Sequence, residues 1–181
     1  MAGVGARRRI EHEHEIAENR RVRMGSILSD SIERYFARIG EPDGAEFAGL
    51  FAEEAEIEDP VGAPPLLGPG GMTVFHKRLH RAWQSLVMTP VARYERGNSA
   101  AVRWTASGMS TGGKAIAFDG INVFEVRDDG KIVRLKAYWD FEGVVAQFWP
   151  AARRRHVRRR GPLTLKCWGA RMPPDSGDRL G

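Results

Sequence analysis

The sequence contains one cysteine, Cys167, in 181 residues, so neither an intrachain disulfide nor a cysteine metal cluster can form. It also lacks any run of 18 consecutive apolar residues, which excludes an ordinary transmembrane helix. The start is charged, with Arg7 to Arg9 followed by alternating Glu and His, and it has no apolar middle of a signal peptide. We therefore expect a cytoplasmic protein, in a reducing compartment, with no membrane partner.

Excess positive charge is confined to the two ends of the chain. The formal net charge is +5, yet residues 24–150 contain 13 Lys and Arg against 17 Asp and Glu. Most of the surplus lies in residues 151–181, where six arginines occur between Arg153 and Arg160. This run has no interleaved aromatic residues to stack on bases, and no recognition motif accompanies it. The sequence therefore disfavours nucleic acid as a partner.

Metal-capable side chains occur close together in the segment Glu11 to Glu15, which includes His12 and His14. Two residues that are two positions apart diverge on a helix, so this pair is poorly placed to bind one ion. We therefore expect no metal site.

Length and a hydrophobic content of 42% predict one domain with appendages. We place the folded domain at residues 24–150, after a charged extension, residues 1–23, that we expect to be disordered apart from one short helix. Residues 151–181 lack periodicity and are predicted to be a disordered basic tail. Met24 is an alternative start of the protein, a hypothesis that N-terminal sequencing of the native protein would test.

Apolar periodicity predicts three helices before the main sheet, with one brief strand at residues 55–59 between the second and third. The predicted helices are residues 27–39, 43–51 and 73–86. From Thr89 onward the period changes to two, and short glycine-containing turns separate the apolar segments. These strands are predicted at residues 89–96, 99–109, 114–126 and 131–141. The pattern indicates an α+β fold in which three N-terminal helices pack on a curved antiparallel sheet, enclosing a conical apolar interior.

Asp59 ends the first strand pattern and is followed by Pro60. The residue before a proline is restricted to extended geometry, and proline cannot continue a central sheet ladder. Asp59 is therefore expected at a strand end, where it is a candidate catalytic base. An Asp-Pro pair is also ordinary turn chemistry, so this pattern alone leaves both interpretations open.

Residues 27–142 resemble the ketosteroid isomerases, within the wider group of nuclear-transport-factor-2-like (NTF2-like) and SnoaL-like proteins. The segments that carry the likeness are Ile32 to Tyr35, Leu50 to Gly62, and Gly130 to Trp139. The resemblance implies the conical, cystatin-like fold of that group, a hydrophobic small-molecule ligand such as a steroid or a polyketide, a homodimer, and chemistry without a cofactor.

By this resemblance Asp59 corresponds to the catalytic base, and Tyr35 corresponds to the tyrosine that stabilises the enolate oxygen. Asn122 stands where the family has a protonated aspartate, which is a departure from its pattern. Phe51 and His76 are two further departures, since they stand where tyrosines would support the oxyanion tyrosine. The resemblance thus implies a catalytic set of Asp59, Tyr35 and Asn122 with an altered supporting network.

These residue types fit one reaction. Removal of a proton beside a ketone needs a base near that carbon and hydrogen-bond donors at the oxygen where charge develops. Asp59 is the predicted base, Tyr35 and Asn122 are the predicted donors, and the same carboxyl can return the proton to another carbon. An amide is a weaker acid than a protonated carboxyl, so we expect reduced enolate stabilisation.

Apolar residues of the helices, the loop and the strands are predicted to line a pocket around this set, although each of them also fits an ordinary core. The predicted substrate-binding residues are Val61, Phe75, Trp83, Trp104, Phe118 and Trp139.

Three functions remain open at this point. The leading one is a steroid Δ-isomerase type of reaction, and a related one is cyclisation of a polyketide by aldol chemistry. The third is a non-catalytic module that binds a hydrophobic ligand, which is favoured by the departures at Asn122, Phe51 and His76. A further enzyme class of the superfamily, the epoxide hydrolases, ranks lower because its Asp-Arg-Asp arrangement is absent from the sequence.

Overall fold

The computed structural model describes the backbone of residues 3–148 and the side chains of residues 12–148. The four helices of this part are α1 (Gly3–Arg38), α2 (Gly44–Ala48), α3 (Gly68–Ala82) and α4 (Phe141–Phe148). The six strands are β1 (Phe51–Glu58), β2 (Leu66–Leu67), β3 (Trp83–Arg96), β4 (Ser99–Ser110), β5 (Ala115–Val126) and β6 (Ile132–Trp139).

The strands form one open sheet in the order β2-β1-β6-β5-β4-β3. Strands β3 to β6 are an antiparallel meander, whereas β1 pairs with β6 in parallel. The three hairpin turns each contain a glycine in the left-handed region, Gly97, Gly113 and Gly130, with φ of 63°, 75° and 81°. Register shifts in β3, between Trp83 and Ser85 and between Pro90 and Ala92, bend this long strand.

Helices cover one face of this sheet, and the core lies between the two layers. One stripe of α1 is buried, at the three- and four-residue spacing of an amphipathic helix. This stripe consists of Leu28, Ile32, Tyr35, Phe36 and Ile39. The inner face of the sheet is built from alternate residues, among them Val102, Trp104, Asn122, Phe124, Leu135 and Ala137. The predicted α+β architecture, with helices packed on a curved sheet, is confirmed.

The first helix is longer than predicted. The sequence predicts a disordered extension with one short helix at residues 1–23, but α1 begins at Gly3 and passes through Met24 without a break. This segment is rich in Ala, Glu and Arg, which favour helix, and opposite charges recur four residues apart, as in Arg7 and Glu11. Its side chains from His12 to Arg23 are exposed. The predicted disordered tail, residues 151–181, lies outside the described residues.

Several further elements differ from the sequence prediction; β1, for example, begins at Phe51 instead of residue 55. Helix α3 begins at Gly68, with Pro69 in its first turn, and it ends at Ala82, so Trp83 opens β3 instead of continuing the helix. Helix α4 was not predicted, because its eight residues follow directly on β6 and are too few to show a clear period.

No helix in the described part of the chain is both long enough and apolar enough to cross a membrane.

Candidate active site

A small cavity of about 40 Å³ lies inside the cone, between α1, α3, α4 and the sheet. Three of its lining residues carry a hydroxyl, carboxyl or amide group, namely Tyr35, Asp59 and Asn122. The remaining ones are apolar or aromatic: Phe75, Leu79, Trp83, Met88, Trp104, Phe118, Trp139 and Val144. The volume corresponds to roughly three water molecules. The structure therefore brings the three predicted catalytic residues to one mainly apolar cavity.

Strand pairing places Asp59 beside Trp139. Strands β1 and β6 pair in parallel with Glu58 opposite Lys136, so Asp59, the next residue, is level with Ala137. The indole Nε1 of Trp139 donates a hydrogen bond of 2.7 Å to Asp59 Oδ1. Residue Asp59 keeps some solvent exposure, but its carboxylate points to the interior of the cone. The Asp59–Pro60 peptide bond is cis.

Burial raises the pKa of the Asp59 carboxyl from its ordinary value of 3.8 to about 6, and the hydrogen bond from Trp139 partly opposes this rise. Such a carboxyl is mostly ionised at neutral pH, yet it is a stronger base than an exposed aspartate. Its proton affinity is therefore close to what general-base catalysis near pH 7 requires.

Tyr35 projects from α1 and is fully buried among the rings of Phe36, Phe47, Phe51 and Phe124. Burial, followed by the negative charge of Asp59, raises the pKa of its hydroxyl well above the ordinary value, and the Asn122 side chain opposes this in part. Asn122 is close enough for this effect, but the Tyr35 hydroxyl makes no hydrogen bond of ordinary geometry with the described residues. It is thus a protonated donor available to a ligand oxygen.

Asn122 occupies the inner face of β5 and is 1% exposed. Its Oδ1 accepts a hydrogen bond of 2.9 Å from the indole Nε1 of Trp104 on the neighbouring strand. The two polar groups that face Tyr35 across the cavity, Asp59 and Asn122, are therefore each held by one tryptophan.

Neither departure from the expected tyrosine network provides a hydroxyl near Tyr35. Phe51 contacts the Tyr35 ring edge to face, with centroids 6.4 Å apart, and offers no polar atom. His76 is turned away, since its Nε2 donates to the carbonyl of Glu41 at 2.8 Å. Desolvation lowers the pKa of His76, which favours the neutral ring. Neither residue therefore supports the Tyr35 hydroxyl by a hydrogen bond, as the expected tyrosines would.

Five of the six predicted substrate-binding residues line the cavity, and Val61 does not. Val61 is 37% exposed in the turn after Pro60, where its backbone N–H donates to Ala137 O at 2.7 Å. This position was mispredicted because the chain turns outward immediately after β1 ends.

Three lining residues were missed in the sequence: Leu79, Met88 and Val144. Leu79 carried a usable signal, because it belongs to the apolar stripe of α3. Val144 carried none, since α4 itself was not predicted.

Helix α4 covers one side of the cavity, which its Val144 lines. Phe141 packs on Trp139 and Phe148 packs edge to face on Trp83, with ring centroids 5.6 and 5.2 Å apart, so both ends of the helix rest on cavity tryptophans. Asp140 caps this helix, because its carboxylate accepts a 2.8 Å hydrogen bond from the backbone N–H of Gly143.

Among the residues described here, no three His, Cys, Asp or Glu side chains are grouped as metal ligands.

Comparison with known proteins identifies a shared domain. The sequence model of the SnoaL-like domain matches residues 32–135, more than half of the chain. A Steroid Delta-isomerase of Nocardioides simplex is 26% identical over 116 residues, which cover 64% of this chain and 92% of that protein.

Two solved structures share the fold. One is SalBIII, an epoxide hydrolase/cyclase-like enzyme with a role in pyran ring formation in the polyether salinomycin. It has a TM-score of 0.57 at 22% identity, with coverage of 64% and 92% of the two chains. The other is the Delta 5-3-ketosteroid isomerase of Mycobacterium sp., with a TM-score of 0.57 at 18% identity and coverage of 64% and 95%. At these identities the likeness establishes the fold.

Proposed function

The chain belongs to the SnoaL-like domain family, and from its cavity we propose that it is a cofactor-independent, isomerase-like enzyme that moves a proton on a hydrophobic ketone. One observation carries the proposal. A carboxylate with a pKa of about 6 shares an apolar cavity with a buried phenol and a buried amide, which are donors for an oxygen. Its relatives by sequence and structure include isomerases and cyclases.

The substrate of this reaction is a ketone with a carbon–carbon double bond one carbon beyond the carbon next to the carbonyl. The reaction starts when ionised Asp59 removes a proton from the carbon that lies between the carbonyl and this double bond. Negative charge then develops on the carbonyl oxygen, where Tyr35 and Asn122 donate hydrogen bonds. Both donors act inside an apolar cavity, where electrostatic interactions are stronger than in water. Protonated Asp59 next gives its proton to a different carbon, so the double bond migrates and Asp59 returns to its ionised state.

The substrate must be apolar, and its binding must enlarge the cavity. Pockets that hold drug-sized ligands measure roughly 300–1,000 Å³, far more than the free space here. A steroid can therefore bind only if α4 moves away or the cavity aromatics turn. A smaller ketone or enone needs less displacement, so the substrate should be sought among ketones of increasing size.

A second candidate is cyclisation of a polyketide-like substrate. It needs the same carboxylate base and oxyanion donors, and it is favoured by the likeness to SalBIII, a cyclase-like enzyme of pyran ring formation. A third candidate, the non-catalytic binding module, is favoured by the amide at Asn122 and by the Tyr35 hydroxyl, which lacks a supporting tyrosine.

The first test is the isomerisation of a Δ5-3-ketosteroid to its conjugated Δ4 isomer, followed by ultraviolet absorbance. Asp59→Asn preserves shape and should lower kcat by about 10²–10⁴-fold, as expected when a general base is lost. The matched control is Asp119→Asn, because Asp119 lies on the outer face of the same sheet and is exposed. Steroid binding without turnover in either protein would favour the binding module.

A further inference from the structure

The orientation of the Asn122 amide is fixed by a neighbour, and we propose that Trp104 is a positioning residue that turns the Asn122 NH2 group toward the substrate oxygen. This inference rests on the proposed function, because it assigns a direction to one of the two oxyanion donors. A free asparagine can present either its oxygen or its nitrogen to a cavity, and only the nitrogen would stabilise an enolate.

The hydrogen bond between Trp104 and Asn122 determines whether the amide oxygen or the NH2 group of Asn122 faces the indole. An indole Nε1 is a donor only, so the atom of Asn122 that lies 2.9 Å from it must be Oδ1. Both side chains are buried, Trp104 at 2% and Asn122 at 1% exposure, so no solvent competes for this bond. The NH2 group is left on the other side of the amide. The Asn122 side chain also lowers the pKa of Tyr35, which is the effect of an N–H donor near the phenol oxygen and agrees with this orientation.

Gly120 makes this bond possible. Trp104 is directly opposite Gly120 in the β4–β5 ladder, and Asn122 follows two positions later on the same face. A Cβ atom at position 120 would lie 2.5 Å from Cζ2 of Trp104 and 2.6 Å from the carbonyl oxygen of Tyr138. The indole can therefore lie across β5 and reach Asn122 only because residue 120 has no side chain. Phe118 holds the indole from the other side, edge to face at 5.5 Å.

Loss of the indole N–H would remove this preference. The amide oxygen and nitrogen are nearly equal in size, so the group could rotate by 180° without a steric penalty. Oδ1 would then face the cavity, where it repels an enolate oxygen and competes for the Tyr35 proton. Trp104 therefore acts through Asn122 and lowers the energy of the charged intermediate more than that of the bound ketone, so its loss should reduce kcat more than it raises KM.

The test uses 4-nitrophenol, whose phenolate oxygen stands in for the enolate oxygen and whose colour reports its ionisation. All proteins carry Asp59→Asn, so that no carboxylate opposes the phenolate. Trp104→Phe should weaken phenolate binding about 10-fold, the effect of one hydrogen bond to a charged oxygen. In an Asn122→Ala background the same substitution should change binding less than twofold. Gly120→Ala should reproduce the loss seen with Trp104→Phe.

An equal loss with and without Asn122 would overturn the proposal, because it would show that Trp104 acts only by packing. If a substituted protein does not fold, ¹⁵N spectra of the otherwise unmodified Asp59→Asn protein decide the question. Added 4-nitrophenol should then shift the Asn122 NH2 signals, and unmoved signals would contradict the proposal. Because phenolate binding needs no turnover, an inactive protein would count against the proposed function without deciding the role of Trp104.

Discussion

The Asp59 carboxylate is subject to two opposing influences. Burial raises its pKa, and the indole of Trp139 lowers it by bonding to the charged form, with about 6 as the outcome. Without the burial the base would be too weak, and without the indole it would remain protonated over more of the physiological range. This balance sets the pH at which the site can work.

Trp139→Phe should shift this balance upward. Removal of the indole N–H takes away the hydrogen bond that favours the carboxylate, so the pKa of Asp59 should rise above 6. The midpoint of the kcat/KM profile against pH should move to higher pH, with activity at pH 6 reduced several-fold and activity at pH 9 less affected. A profile that keeps its midpoint, or moves to lower pH, would show that the bond does not influence the base.

Asp59 should also make the free energy of unfolding depend on pH. Its pKa is higher in the folded protein than in the unfolded chain, so between about pH 4 and 6 the folded state binds more protons, and stability falls as pH rises through this window. At pH 7 the buried charge costs up to about 3 kcal/mol. Asp59→Asn should remove this cost.

The measurement is urea unfolding of both proteins at several pH values between 4 and 7. Other carboxyl groups with shifted pKa, such as Asp129, titrate in both proteins and cancel in the difference. The stability advantage of Asp59→Asn should therefore grow with pH up to about pH 7, and a constant difference would rule out a raised pKa.

At the scale of elements, α4 bounds the site on one side. Val144 of this helix lines the cavity and is 2% exposed, whereas the adjacent Val145 is buried but does not line it. Val144→Ala should therefore enlarge the cavity and raise kcat/KM for bulky ketones several-fold, at a cost of about 1–3 kcal/mol in unfolding free energy. Val145→Ala is the matched control, expected to lose stability without this gain. Equal kinetics in both variants would argue against a cavity limited by α4.

Local signals predicted most of the elements. The β3 to β6 meander followed from period-two segments and from Gly97, Gly113 and Gly130, each of which occupies a turn. Features that depend on contacts between distant parts of the chain were not predicted. The parallel pairing of β1 with β6 is not visible in either segment alone, and α4 is stabilised by its contacts with Trp83 and Trp139 more than by its own eight residues.

The sequence identified the three polar residues of the candidate cavity but not its geometry. The resemblance assigned Asp59, Tyr35 and Asn122, and the structure places them around one cavity. The two indole hydrogen bonds could not be predicted, because one joins residues 80 positions apart and the other depends on the β4–β5 register. A one-residue slip of that register would move Trp104 to the outer face of the sheet.

At the scale of the whole molecule, the outer face of the sheet carries large exposed hydrophobic side chains. On β3, β5 and β6 these are Val87, Val91, Tyr94, Ile121 and Tyr138. Ile121 and Tyr138 are direct cross-strand partners, so they form one continuous apolar surface. Such surfaces commonly mark protein interfaces. Together with the homodimer implied by the resemblance, this surface supports self-association through the sheet.

Light scattering of the intact protein should therefore give twice the 20.2 kDa mass of one chain. Ile121→Glu should shift the mass to that of the monomer, because a charge would then face the apolar contact. Val74→Glu is the control, since Val74 is an exposed hydrophobic residue on α3, away from the sheet face. A monomeric wild-type protein, or a dimer unaffected by Ile121→Glu, would contradict the prediction.

The cavity has an optical property that follows from its tryptophans. Of the five tryptophans in the chain, Trp83, Trp104 and Trp139 all line it, and the last two donate to the polar groups inside. Protonation of Asp59 changes the charge 2.7 Å from the Trp139 indole, so intrinsic fluorescence should titrate near pH 6. An entering ketone would quench the same emission. The protein therefore contains its own fluorescent reporter, with which ligands can be screened before any turnover assay exists.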